Sequence, residues 1–125
     1  DECIRSTLSD LDTNEMTAEQ ADWLDADLTA NTREWIVAYG HHPPYSSGEH
    51  GSSVEFRQTF GPILEKNAVD LVLSGHDHDY ERIAPQNGVN YVVTGGGGSS
   101  PMGKRCSLSV VVERMTTSLS PRAGL

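Results

Sequence analysis

The most informative stretch of this chain runs from Val69 to Arg82 and reads VDLVLSGHDHDYER. It begins as a short apolar run, rich in β-branched residues, which is typical of a buried strand. It then breaks at Ser74-Gly75, where Gly75 would allow a bend, into a polar tip with His76 and His78. Loops that directly follow strands in α/β proteins often hold ligands and catalytic groups. A solvated loop is the plainer alternative, because H-x-H alone is a weak signal.

A second histidine loop precedes this stretch in the chain. Glu34 to Gly40 (EWIVAYG) is a nearly continuous apolar run, which suits a strand covered on both faces. It ends in the sequence HHPPY at residues 41–45, where the prolines exclude helix and make the segment stiff. A small-residue loop follows and carries His50. The pattern therefore repeats: a strand ends and histidines follow.

Two helices are predicted around these strands. Thr17 to Ala30 is amphipathic, and Thr17 with Gln20 matches a capping box. A second helix is predicted from Val54 to Asn67, after the Ser52-Ser53 cap, with a break at Gly61-Pro62. The predicted buried faces consist of Ala21, Leu24 and Leu28 in the first helix and Phe56, Phe60, Ile63 and Leu64 in the second.

The order strand, histidine loop, helix, strand, histidine loop predicts where the loops meet. A right-handed crossover makes the two strands parallel, so both loops leave the same edge of the sheet. The chain has five histidines and all lie in these loops: His41, His42, His50, His76 and His78. The clustering predicts a metal or catalytic site rather than scattered structural histidines.

Composition limits the classes of partner. The chain has 125 residues, enough for one domain, and a formal net charge of −9. Such acidity argues against nucleic acid or an anionic membrane surface as a partner, and no apolar run is long enough to span a bilayer. Cys3 and Cys106 are too few for a disulfide scaffold, although they could pair in an oxidising compartment.

The ends of the chain are less informative. Residues 1–16 are polar and without clear periodicity, and we interpret them as a connection; a start at Asp1 rather than Met indicates a fragment or a processed form.

Asn87-Gly88 between apolar runs predicts a β-hairpin.

The glycine-rich segment that follows the hairpin predicts a turn. Gly95–Gly98 is a run where the backbone is expected to pass close to another group. The letters GSSPMGKR nearly match a phosphate-binding loop, but Arg105 replaces the required hydroxyl, and Leu108 to Glu113 resembles a strand where that loop needs a helix. Residues 99–125 are left as an unassigned tail.

These motifs together resemble a known family. HHPPYSSGEHG at residues 41–51, VDLVLSGHDHDYER, the Asn-Gly turn and YVVTGGGG are similar to the C-terminal half of purple acid phosphatases, within the calcineurin-like metallophosphoesterases. The resemblance implies an α/β fold, the C-terminal half of a four-layer α/β/β/α sandwich, with residues 1–125 as a partial domain. It implies hydrolysis of phosphate monoesters by hydroxide at a binuclear centre of Fe(III) with Fe(II), Zn(II) or Mn(II).

The resemblance also implies roles for individual residues. His41 and His76 match ligands of the divalent metal, and His78 matches the histidine ligand of the ferric ion. His50 matches a histidine near the substrate phosphate, which positions it or protonates the leaving group. His42 stands where family members vary and is not predicted as a ligand. Imidazole suits divalent metals, and histidine ordinarily titrates near neutrality, as a general acid must.

The departures from the family pattern leave alternatives open. The other family ligands, from G-D-x-x-Y and G-N-H boxes, do not occur in this chain, and neither does the tyrosine of the purple chromophore. The resemblance thus implies an incomplete site that is inactive alone. The alternatives are a non-catalytic zinc module that uses His41, His76 and His78, and an interaction domain that keeps only the scaffold. Family habit implies a secreted or periplasmic protein; the oligomeric state stays open.

Overall fold

The computed structural model describes residues 6–97, which form an α/β unit with one mixed sheet. The elements are β1 (Ser6–Leu11), α1 (Ala18–Ala30), β2 (Trp35–Gly40), α2 (Val54–Thr59), α3 (Gly61–Lys66), β3 (Leu71–Ser74), β4 (Tyr80–Gln86) and β5 (Val89–Thr94). The strand order is β1-β2-β3-β5-β4. All neighbours pair in parallel except β4 and β5, which are antiparallel. The α/β prediction is confirmed.

The crossover that was expected to bring the histidine loops together is present. β2 and β3 are parallel neighbours, and their last residues, Gly40 and Ser74, are partners in the register. The connection between them contains α2 and α3. Both loops therefore leave the sheet side by side at its carboxyl edge, as the sequence predicts.

The core lies between one face of the sheet and the helices. Ile36 and Ala38 of β2 are buried and their neighbours are not, because successive side chains point to opposite faces. The side chains on the other face of β2 are only half-buried by the described residues. The prediction that β2 is covered on both faces therefore holds for one face within residues 6–97. The remaining core side chains are Leu11, Leu24, Leu28, Phe56, Phe60, Leu64, Val69, Val72, Val89 and Tyr91.

The helix boundaries follow the predicted signals, with one correction. The Thr17 side chain accepts a hydrogen bond from the Gln20 backbone amide, as an N-cap should. The Gln20 side chain does not complete the capping box. It donates instead to the carbonyl oxygens of Asp12 and Glu15, because the loop before the helix folds back within its reach. The predicted break is confirmed, since α2 ends at Thr59 and α3 begins at Gly61.

The interpretation of residues 1–16 as a connection is wrong over Ser6–Leu11, which is the edge strand β1. Its apolar residues give no strand pattern, because Leu8 and Leu11 point to opposite faces. Leu8 is 66% exposed, whereas Leu11 is in the core. Parallel pairing with β2 along its whole length, rather than its own hydrophobicity, makes this segment a strand.

The hairpin between β4 and β5 has the predicted turn. Asn87 and Gly88 have φ of 48° and 88°, the left-handed values that a two-residue hairpin loop requires. The predicted close approach after the hairpin is confirmed at Gly95, where a β-carbon would lie 2.0 Å from the carbonyl oxygen of Asp77.

Several sequence interpretations lie outside the described residues. They are the possible Cys3–Cys106 pair, the GSSPMGKR segment, the Leu108–Glu113 strand and the tail from 99 to 125. Within residues 6–97, no helix combines the length and apolar character needed to cross a membrane.

Candidate functional site

The two histidine loops are joined directly at the edge of the sheet. The backbone amide of Gly75 donates a hydrogen bond to the carbonyl oxygen of His41 at 3.0 Å. Their side chains meet as well: Nε2 of His41 lies 3.0 Å from Nδ1 of His76. This separation is short enough for both nitrogens to bind one metal ion.

The bend after β3 occurs at His76 rather than at Gly75. His76 has a φ of 66°, in the left-handed region that residues with a β-carbon rarely adopt. Backbone strain of this kind persists only where the surroundings fix it, and it is concentrated at functional sites. Here it turns the His76 ring towards His41, which explains why Gly75 itself needs no unusual conformation.

A third imidazole completes a compact cluster. Ligand atoms of His41, His42 and His76 all lie within 4.8 Å of one another. Nδ1 of His42 is 2.9 Å from Oγ1 of Thr13, and this hydroxyl also accepts a hydrogen bond from the His42 amide at 3.0 Å. Thr13 is buried, so it fixes the His42 ring. His42 was not predicted as a ligand, whereas the structure groups it with two predicted ligands.

The two other histidines occupy different places. The exposed ring of His50 packs on that of His76, with centroids 4.2 Å apart. His78 is half-buried and does not belong to the three-histidine group, so among the described residues it is separate from His41 and His76. The structure thus brings His50 to the predicted metal ligands but leaves His78 outside their cluster.

Burial and neighbouring rings set the electrostatics of the cluster. Burial lowers the pKa of His76, and the nearby His50, His42 and His41 lower it further against the opposing effect of Asp77. The neutral imidazole is the form that binds metals, so the surroundings of His76 favour that form.

An unpaired carboxylate oxygen lies beside His78. Oδ1 of Asp79 is buried and has no hydrogen-bond partner among the residues that the structure describes. Burial raises the pKa of Asp79, and the neighbouring Asp77 and Glu81 add to that effect. Buried oxygen atoms without partners are rare in proteins, and a bound ion is one explanation of such an atom. The three clustered imidazoles of His41, His42 and His76 fit a borderline divalent metal such as zinc.

Sequence reasoning also missed Thr13, Asp77 and Glu81 as residues of the site. Thr13 precedes α1 and meets His42 only through the fold. Asp77 and Glu81 lie within the quoted stretch, but their partners belong to the loop that carries His50. No sequence signal marks such contacts, because they join loops that are distant in the chain.

Comparison with known proteins supports the predicted family. The profile of the family described as calcineurin-like phosphoesterase matches residues 4–80. Purple acid phosphatase 3 of Arabidopsis thaliana is 40% identical over 76 residues, 61% of this chain and 21% of the relative. Human tartrate-resistant acid phosphatase type 5 is 34% identical over 86 residues, 69% of this chain and 26% of the relative. The chain spans about a quarter of the length of these relatives.

Solved structures show the same fold. A purple acid phosphatase from yellow lupin seeds matches with a TM-score of 0.71 at 24% identity, over 77% of this chain and 22% of that one. GAP50, described as the anchor in the inner membrane complex of Plasmodium, matches with a TM-score of 0.69 at 24% identity, over 82% of this chain and 36% of that one. The sheet and its helices therefore form part of a metallophosphoesterase fold. With the profile match over residues 4–80, this shows that the chain belongs to the calcineurin-like phosphoesterase family.

Proposed function

We propose that this chain is part of a metal-dependent hydrolase that cleaves phosphate monoesters. The observation that carries the proposal is the pair formed by Nε2 of His41 and Nδ1 of His76, 3.0 Å apart at the carboxyl edge of the sheet. Its support is chemical, since two imidazole nitrogens at this spacing are ligands suited to a divalent metal. The sequence relatives named above are acid phosphatases, and the proposal extends that activity to the whole protein.

The proposal assigns roles to four histidines. His41 and His76 would hold a divalent metal, and His78 would hold a ferric ion in a binuclear centre. A metal pair of this kind supplies positive charge to the phosphate oxygens and lowers the pKa of a water molecule. His50 would give its proton to the ester oxygen as the bond from phosphorus to that oxygen breaks. Its ring is exposed at the rim of the cluster, where a substrate from solvent can reach it.

Three further points belong to the same proposal. The family ligands that are missing from this sequence would be supplied by other parts of the full-length protein, so the 125-residue chain would be inactive alone. The protein would be exported, since secretion is the family habit. The substrate would be a small phosphate monoester, with neither nucleic acid nor a membrane as a partner of the acidic chain.

A second candidate function is a single zinc site without catalysis. One observation favours it: the compact group contains His42 and excludes His78. Among the described residues, three imidazoles thus lie close enough together to bind one metal ion. Three or four such ligands satisfy one zinc ion. One fold relative, GAP50, is described as the anchor in the inner membrane complex of Plasmodium.

Metal analysis and hydrolysis assays on the full-length protein separate the two functions. The hydrolase should contain two metals per chain and release p-nitrophenol from p-nitrophenyl phosphate, and a strong chelator should abolish the rate. A protein with one zinc ion and no metal-dependent hydrolysis would instead establish the second function and refute the first.

A further inference from the structure

The loop that carries His50 is tied to the other histidine loop by two carboxylates. Oδ2 of Asp77 accepts a hydrogen bond from the Ser46 hydroxyl at 2.5 Å, and Oδ1 accepts one from the backbone amide of His50 at 2.8 Å. Oε2 of Glu81 accepts one from the Ser47 amide at 2.9 Å. Both ends of the loop from Ser46 to His50 are thus attached to residues that follow β3.

The loop is wrapped closely around the Asp77 carboxylate. Asp77 is only 2% exposed, which is unusual for an acidic side chain that has no salt bridge within residues 6–97. A β-carbon on Gly48 would lie 2.4 Å from Cγ of Asp77, so only glycine fits there. Burial alone would raise the pKa of Asp77, but the hydrogen bonds from Ser46 and His50 and the nearby imidazoles lower it.

Asp77 therefore links two histidines that belong to different loops. Its backbone directly follows that of His76, and its carboxylate holds the His50 amide. The result is the contact between the His50 and His76 rings, whose centroids are 4.2 Å apart. A small change in the position of a proton donor lowers rate steeply, so an attachment of this kind has a direct catalytic consequence.

We propose that Asp77, with support from Glu81, is a positioning residue that sets the place of His50 relative to the His41–His76 pair. This inference rests on the proposed hydrolase function for its kinetic consequences. Its structural part, that the carboxylate orders the loop from Ser46 to His50, stands independently of that function. Asp77 touches no substrate in this scheme; it acts through His50.

The kinetic test is a double-mutant cycle in the full-length protein, with p-nitrophenyl phosphate and an alkyl phosphate as substrates. Asp77→Ala should lower kcat by about 10- to 100-fold with KM and metal content nearly unchanged, as losses of supporting hydrogen bonds do. The loss should be larger for the alkyl phosphate, whose leaving group needs the proton. In the His50→Ala background, Asp77→Ala should have no further effect, because the residue it positions is gone.

Matched variants separate positioning from general damage. Asp77→Asn keeps an acceptor for the His50 amide and should restore most of the rate. Asp70→Asn is the control: its carboxylate accepts the Ile36 amide at 2.8 Å at the opposite end of the sheet, and its change should leave the kinetics unaltered. If Asp77→Ala does not fold, Ser46→Ala removes one hydrogen bond to the same carboxylate and should show a smaller effect of the same kind.

Amide hydrogen exchange tests the structural part without any assay of activity. Exchange at the His50 and Ser47 amides should accelerate in Asp77→Ala. Exchange at the Ser47 amide should also accelerate in Glu81→Ala, which removes its acceptor. Exchange at both amides should stay unchanged in Asp70→Asn. Unchanged exchange at His50, an equal kinetic loss in the His50→Ala background, or loss of bound metal in Asp77→Ala would each overturn the inference. Absence of hydrolysis by the parent protein would refute the proposed function alone, and the exchange data would still decide the role of Asp77.

Discussion

The rings of His50 and His76 are in contact, with centroids 4.2 Å apart and planes inclined by 38°. The two residues differ in burial, since His50 is exposed and His76 is half-buried beside His41. Burial favours a neutral imidazole that binds a metal, whereas exposure gives access to a substrate. The contact therefore places a group that can reach the substrate directly beside a group suited to hold a metal.

Replacing His50 should slow hydrolysis without loss of metal. In the full-length protein, His50→Ala should lower kcat by about 10²- to 10⁴-fold, the usual effect of losing one general acid. The loss should be smaller for an aryl phosphate than for an alkyl phosphate, because a good leaving group needs no proton. Steady-state rates on both substrates, with metal analysis of the same samples, measure this.

His41→Ala, His76→Ala and His78→Ala serve as comparisons for His50→Ala, since each should lower the metal content. If His50→Ala also loses metal, His50 is a ligand. If it slows both substrates equally, it binds the phosphate and is not the general acid.

Removing the hydroxyl that holds His42 should destabilise the fold. Thr13→Val keeps the shape of a buried side chain but leaves the His42 amide without its acceptor. We expect a loss of about 1 to 3 kcal/mol in the free energy of unfolding, the usual result of an unsatisfied buried group. Denaturant unfolding of the two proteins measures the difference.

Thr29→Val is the matched control for that variant, because the Thr29 hydroxyl donates to Asn67 on an exposed surface. Its effect should stay within about 0.5 kcal/mol, as for most surface substitutions. Equal effects of the two substitutions would show that the Thr13–His42 contact contributes nothing particular to stability.

Much of the fold was predictable because its signals are local. The apolar run from Val69 to Leu73 and the Asn87-Gly88 turn each specify their own conformation, and crossover handedness then places both histidine loops at one edge. β1 was not predictable, since Leu8 and Leu11 lie on opposite faces and its stability comes from pairing with β2. A sequence pattern reports only the local preference of a segment. The strand conformation of β1 depends instead on its pairing with β2.

The candidate site divides in the same way. The histidine clustering was visible in the sequence because all five residues follow predicted strands. The attachment of His50 to Asp77 was not, because it depends on the path of one loop around a carboxylate from another. The difference between His42 and His78 was not visible in the sequence either. Both lie in the predicted loops, but only His42 joins His41 and His76 in the described cluster.

The close approach at Gly95 predicts a large effect of one methyl group. A β-carbon there would lie 2.0 Å from the carbonyl oxygen of Asp77 and 3.2 Å from the carbonyl carbon of Gly75, both backbone atoms that cannot rotate away. Gly95→Ala should therefore destabilise the protein by about 1 to 3 kcal/mol, the usual cost of overpacking, and should disturb the adjacent His76. Thermal or denaturant unfolding measures the first effect, and metal affinity measures the second.

Gly97→Ala is the control for that substitution. A β-carbon on Gly97 would meet nothing within 4 Å, so alanine should be neutral or slightly stabilising there. A similar loss in both variants would mean that flexibility of the glycine run, rather than contact with Asp77, is what the fold requires.

The 125-residue chain on its own should bind metal weakly and hydrolyse phosphate esters slowly. The resemblance assigns two ligands to the divalent metal, His41 and His76, and one to the ferric ion, His78, while the G-D-x-x-Y and G-N-H boxes are missing from the sequence. Metal affinity falls steeply as ligands are lost, because each removes a bond and leaves a coordination position to water. Zinc titration calorimetry and p-nitrophenyl phosphate assays on the purified chain measure both properties, with a His41→Ala/His76→Ala double variant as the blank. Turnover at the rate of an intact phosphatase would contradict the prediction and would mean that the described histidines, together with a ligand such as Asp79 or a partner chain, complete the site.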